Sequence, residues 1–243
     1  MRLASLLSTM LLALLVAGSA SAADTKPGTH DKLVIAVVGD SLADGMWGGL
    51  YRQLQGNSGA ELVRGARNSI GFTGADLTDL IDKAFAARPA QALVMMIGAN
   101  DRRTFFVGRQ PKAQLGTPNW IALYRGRVER FMDHAAKRKV PLVWILLPIM
   151  RDATATRDAK LVNEIVTKAA ESHPNVALVE TASLTSDDKG KYIAHFADLK
   201  GHKRLMRASD GVHFEQAAYE LIGRRVLEKL GNVAPRFKLL LED

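Results

Sequence analysis

With 243 residues, 47% of them apolar, the chain is long enough for one domain with a buried core and short for two independent ones. Its formal net charge of +8 favours encounter with anionic partners. The absence of cysteine excludes disulfides and thiolate metal sites, so the apolar core must hold the fold alone.

In chain order, residues 1–22 come first, with Arg2, an apolar run from Leu6 to Ala17 and the small-x-small pattern Ala20-Ser21-Ala22. That combination reads as a signal peptide cleaved after Ala22, and the run is short for a membrane span, which needs about 20 apolar residues. Cleavage removes one Arg and no acid, taking the formal charge from +8 to +7. The expected location is therefore periplasmic or secreted. There the anionic partners are envelope polymers or lipid headgroups; nucleic acid is not expected, because Lys137-Arg138-Lys139 and Lys203-Arg204 lack interleaved aromatics and read as solvated surface. Residues 23–31 are polar, contain Pro27 and Gly28, and read as a disordered lead-in to a single domain over 32–243.

From Lys32 onward, short β-branched apolar runs alternate with segments of helical spacing. The runs are Leu33 to Val38, Glu61 to Val63, Ala92 to Ile97, Val140 to Leu147 and Val176 to Val179. The helical segments are about Gly48 to Gln55, Ala75 to Ala87, Trp120 to Lys139, Arg157 to Ser172 and Glu215 to Lys229. Near-continuous apolar runs suit strands buried on both faces. The alternation predicts an α/β fold: a three-layer α/β/α sandwich with a mostly parallel, flavodoxin-like sheet of about five strands.

Ligand sites in such sheets lie beyond the carboxyl ends of the strands. Chemistry-bearing residues occupy those positions: Gly39-Asp40-Ser41-Leu42-Ala43-Asp44-Gly45 after the first strand, Asn68 to Gly74 after the second, and Gly98-Ala99-Asn100-Asp101-Arg102-Arg103 after the third. Ser209-Asp210-Gly211-Val212-His213-Phe214 precedes the last helix. A serine hydroxyl becomes an effective nucleophile only with a positioned base and donors for the developing oxyanion. Ser41, at a strand-to-helix turn, is the candidate nucleophile, although Gly-Asp-Ser there also suits a plain helix cap. Asp210 and His213, three apart, can share a hydrogen bond that leaves the other imidazole nitrogen for Ser41.

The ordered blocks Gly-Asp-Ser-Leu, a glycine before the second helix, Gly-x-Asn-Asp and Asp-x-x-His resemble the SGNH or GDSL hydrolase superfamily over roughly residues 33–230. The stretch from Asp198 to Phe214 is similar to a poorly characterised bacterial periplasmic branch of it. The resemblance implies a catalytic triad of Ser41, His213 and Asp210. It also implies an oxyanion hole from the backbone N–H of Ser41, the side chain of Asn100 and the backbone N–H of Gly71, with Gly74 as the rival. Asp40, Asp44 and Asp101 read as caps and loop braces. Arg102 and Arg103 read either as a guanidinium fork for a substrate anion or as surface residues.

The segment from Thr104 to Asn119 is long for a connector and reads as a flap with Phe105 and Phe106 as its apolar face. Trp47, Trp120 and Tyr124 are candidates for stacking on sugars, with a core role for at least one of them. His195 and His202 lack paired ligands at metal spacing, and neither metal nor cofactor is expected. The functional expectation is an exported serine esterase that removes acyl groups, acetyl among them, from an envelope glycan or lipid. The alternatives are an O-acyltransferase using the same site and a non-catalytic binding module. The oligomeric state is left open.

Overall fold

The computed structural model describes residues 32–107 and 109–241; the expected signal peptide and lead-in lie outside them. In chain order the elements are β1 (Leu33–Gly39), α1 (Ser41–Gln53), β2 (Ala60–Ala66), α2 (Thr78–Ala87), β3 (Ala92–Met96), β4 (Phe105–Val107), β5 (Gln110–Ala113) and α3 (Pro118–Lys137). There follow β6 (Leu142–Ile145), α4 (Ala153–Ala170), β7 (Val176–Val179), α5 (Ala182–Thr185), β8 (His195–Ala197), β9 (Lys203–Leu205), α6 (Gln216–Val233) and a final 3₁₀ segment, Pro235–Leu241.

The main sheet is five-stranded, in the order β2-β1-β3-β6-β7, and every pairing in it is parallel. β1, β3 and β6 are fully buried from Ile35, Ala92 and Leu142 onward, which explains their unbroken apolar sequences. α1 packs on α6, whereas α3 packs between α2 and α4. The result is the expected α/β/α sandwich with helices over both faces. An aromatic group of Phe72, Phe131 and Trp144 fills the layer under α3, with ring centroids 5.8 to 5.9 Å apart.

The structure departs from the sequence reading at several places. α1 begins at Ser41 rather than near Gly48, and α4 begins at Ala153 rather than near Arg157. Asp40 caps the first, accepting from the Leu42 N–H at 2.9 Å, and Asp152 caps the second, accepting from the Ala155 N–H at 2.6 Å. The expected flap contains the β4–β5 hairpin, and its two phenylalanines separate: Phe105 is buried against Trp120 while Phe106 is exposed. Trp120 and Tyr124 are wholly buried and stacked on each other at 4.8 Å, which leaves neither ring free for a sugar. Trp47 stacks on Tyr51 at 5.3 Å, with Arg64 5.0 Å from its ring centre.

Candidate active site

β1 ends where its backbone presses on β3. Gly39 has φ of +137°, and a Cβ there would fall 2.1 Å from the Met96 carbonyl oxygen, so only glycine permits this turn. The chain then enters α1 directly, which puts Ser41 at the first helical position, half-buried, beyond the carboxyl end of the sheet. Its Oγ lies 2.7 Å from Nε2 of His213.

His213 comes from a tight excursion before α6. The Met206–Glu215 and Ala208–His213 backbone bonds, each 3.0 Å, close the loop's base, and Gly211 turns it with φ of +72°. Nδ1 of His213 lies 2.6 Å from Oδ2 of Asp210, while Oδ1 accepts from the N–H groups of Val212 and His213 at 2.8 and 2.9 Å. Partial burial pushes the Asp210 carboxyl up, but the bonds from the His213 ring and the two amides outweigh it and bring it down to about 2. Asp210 is thus anionic at neutral pH. It holds the proton on Nδ1 and leaves Nε2 to accept from Ser41.

On the other side of Ser41, three loops converge. Asn100 Nδ2 donates to Asp40 Oδ2 at 3.2 Å and to the Ile70 carbonyl at 3.1 Å. Among the described residues the N–H groups of Ser41 and Gly71 have no partner, whereas the Gly74 N–H donates to the Gly71 carbonyl at 3.1 Å. The two glycines thus differ physically: the Gly71 N–H is without a partner among the described residues, and that of Gly74 is already bonded. Behind Gly71 stands Asp101, fully buried, which accepts from Thr73 N and Oγ1 at 2.7 and 2.8 Å and from the Tyr124 hydroxyl at 3.0 Å.

Burial, opposed by the Leu42 amide and assisted by the nearby Asp101 charge, lifts Asp40 to about 6, and burial raises Asp101 as well. The two carboxylates thus share a low-dielectric space beneath the candidate oxyanion donors. Asp44 braces elsewhere, in a two-pronged pair with Arg64 at 2.7 Å for each bond. Arg102 donates to the Ala99 carbonyl at 3.2 Å and Arg103 to Thr73 Oγ1 at 3.0 Å, and neither forms an ion pair among the described residues. His195 and His202 lie exposed on the β8–β9 hairpin. A cleft of about 630 Å³ between Leu115, Gly116 and the first turns of α4 does not include Ser41 or His213 in its lining.

Residues 34–229 match the family described as protein of unknown function (DUF459). The chain belongs to this family. No curated protein matches it. Among solved structures, its fold resembles an alpha/beta hydrolase enzyme from the metagenome of Lake Arreo, Spain, at 16% identity and TM-score 0.60, over 85% of this chain and 99% of that one. It also resembles an acetylxylan esterase from Geobacillus stearothermophilus, at 16% identity and TM-score 0.56, over 84% of this chain and 97% of that one. A GDSL-like lipase from Bacteroides thetaiotaomicron is similar at 12% identity and TM-score 0.58, over 82% of this chain and 88% of that one. The DUF459 chain thus has the fold of the SGNH/GDSL hydrolases.

Two site features escaped the sequence reading. Tyr124 reads there as an aromatic platform but serves as a hydroxyl donor to Asp101. Arg207 was visible inside the Arg-x-x-Asp-x-x-His block, where a lone cation carries no signal of burial, yet it is 1% exposed directly beneath the His213 loop.

Proposed function

We propose that this protein is an exported serine esterase that cleaves acyl esters of an envelope glycan or lipid through an acyl-enzyme on Ser41. The observation that carries the reading is the continuous relay from Ser41 Oγ to His213 Nε2 at 2.7 Å and from His213 Nδ1 to Asp210 at 2.6 Å. In this mechanism Nε2 takes the Ser41 proton as Oγ attacks the ester carbonyl, and the imidazolium that results is stabilised by Asp210. The tetrahedral oxyanion is held by the N–H groups of Ser41 and Gly71 and by Asn100, one of whose amide hydrogens turns from Ile70 or Asp40 toward it. Collapse expels the alcohol, which receives the proton from His213. Water, deprotonated by the same imidazole, then releases the acid and restores Ser41.

The acetylxylan esterase among the similar folds supports an acetylated glycan as the first substrate to try. Arg102 and Arg103, beside the Asn100 loop and without an ion pair among the described residues, support an anionic group on that substrate. Ser41 and His213 are half-buried and Asp210 is exposed, which supports water over a sugar hydroxyl as acceptor, since transferases shield their acyl-enzyme. The test is hydrolysis by residues 23–243 of nitrophenyl esters of increasing chain length and of acetylated glycans, with Ser41→Ala in parallel. Turnover that disappears in the variant supports the reading. Turnover equal in both, or transfer to sugar that exceeds acid release, overturns it.

A further inference from the structure

Among the described residues Arg207 is the one buried arginine, and no carboxylate pairs with it. A guanidinium taken out of water without an acid is costly, so the contacts that replace solvent deserve a reason. They are backbone carbonyls. Nε donates to His213 at 3.3 Å, one terminal nitrogen donates to Ile149 at 2.7 Å, and the other donates to Gly211 and Val212 at 3.1 and 3.0 Å. The faces of Phe214 and Tyr192 complete the cage, with ring centres 4.6 and 5.0 Å from the guanidinium carbon.

Three of those carbonyls belong to the consecutive residues 211, 212 and 213, and the fourth lies just past the end of β6. Fixing three successive carbonyls fixes the peptide planes between them. Those planes aim the Val212 and His213 N–H groups at Asp210 Oδ1 and set the direction in which the His213 side chain leaves the loop. The bond to Ile149 ties the loop to the sheet that carries Ser41. Burial, opposed by Tyr192, Tyr219 and Asp210, lowers the Arg207 pKa to about 10, which still leaves the group charged at neutral pH.

We propose that Arg207 is a positioning residue for the triad, a buried cation whose planar fork holds the carbonyls of 211–213 so that His213 reaches both Asp210 and Ser41. The proposal rests on the esterase reading for its kinetic consequence but not for its geometric one. Lysine cannot substitute, because a tetrahedral ammonium does not present the same flat array of donors and stacks less well between two rings.

The experiment compares wild type, Arg207→Lys and Arg207→Met by two readouts, at a temperature where circular dichroism shows each folded. One is the rate at which a fluorophosphonate labels Ser41. The other is the far-downfield proton resonance of the His213 Nδ1–H···Asp210 bond. The expected result is labelling slowed about 100-fold in both variants, as for other misplaced catalytic groups, with the resonance broadened or lost. Wild-type labelling and an intact resonance in either folded variant would overturn the proposal, as would losses that merely track the unfolded fraction. If Arg207→Met does not fold, Arg207→Lys decides. If wild type shows the resonance but never labels, the esterase reading fails and the resonance alone judges Arg207.

Discussion

Replacing Gly71 by alanine separates two neighbouring glycines that look alike in the sequence. A Cβ on Gly71 would stand 2.2 Å from Asp101 Oδ1 and 2.7 Å from its Cγ, the nearer of them more than an ångström inside ordinary contact. The carboxylate cannot retreat easily, because Thr73 and Tyr124 hold it in a buried space. Overpacking of this kind costs about 1–3 kcal/mol of stability. The strand of loop that yields is the one bearing the Gly71 N–H, so turnover should fall about 100-fold to 1000-fold, the effect of losing one oxyanion donor. A Cβ on Gly74 would instead press on the far end of the exposed Arg103 side chain, at 3.0 Å, with the Gly71 carbonyl oxygen at an ordinary 3.5 Å, and its N–H is already committed to Gly71. Gly74→Ala should therefore change stability by less than about 0.5 kcal/mol and leave turnover nearly intact. Nitrophenyl acetate kinetics and thermal melting of both variants provide the assay. A larger loss of turnover in Gly74→Ala than in Gly71→Ala would refute the reasoning.

Asn100→Ala should lower turnover about 100-fold to 1000-fold with little change in KM, measured by steady-state kinetics; unchanged turnover would remove Asn100 from the oxyanion site. Asp210→Asn keeps an acceptor for the loop amides but presents an amide to Nδ1, reversing the tautomer, so turnover should fall by about 10⁴, and a loss of less than about tenfold would count against the relay. Asp40, lifted to about 6, keeps its proton in the folded state at pH values where the unfolded chain has released it. The stability it contributes is complete below about pH 4 and is lost as pH rises through 6, a change of about 3 kcal/mol at most. Melting temperature should therefore decline across that window in wild type and less steeply in Asp40→Asn; identical slopes would show that Asp40 is not the group responsible. Asp210, brought down to about 2, acts in the opposite sense, its stabilisation disappearing only as pH falls below about 4.

The central strands were legible because burial on both faces leaves them almost purely apolar, and β7 falls on the residues read for it, Val176–Val179. The start of α1 was not. Gly45, Gly48 and Gly49 weaken the local helix signal there, and two of them answer to tertiary packing: a Cβ on Gly45 would strike the Tyr219 ring at 2.1 Å and one on Gly49 its backbone at 2.6 Å. Their absent side chains allow α1 and α6 to approach. The hairpins β4–β5 and β8–β9 escaped notice because their strands have three or four residues, with Pro111 in one and exposed Lys203-Arg204-Leu205 in the other. At the site, the ordered blocks and the family resemblance they carry marked Ser41, Asn100, Asp210 and His213 as candidates, because acyl transfer needs a nucleophile, a base and oxyanion donors. The choice between Gly71 and Gly74 depends on which N–H is already bonded, and the burial of Arg207 depends on carbonyls from residues 149 and 211–213; neither is written locally.

The central claim is that Ser41 is a nucleophile activated by His213. It is tested most directly by exposing residues 23–243 to a fluorophosphonate and mapping the modified residue by peptide mass spectrometry, with His213→Ala beside wild type. The account predicts one modified residue, Ser41, in wild type and labelling slowed by orders of magnitude in the variant. Modification at Ser69 or Ser209, or labelling of Ser41 at the same rate without His213, would contradict it.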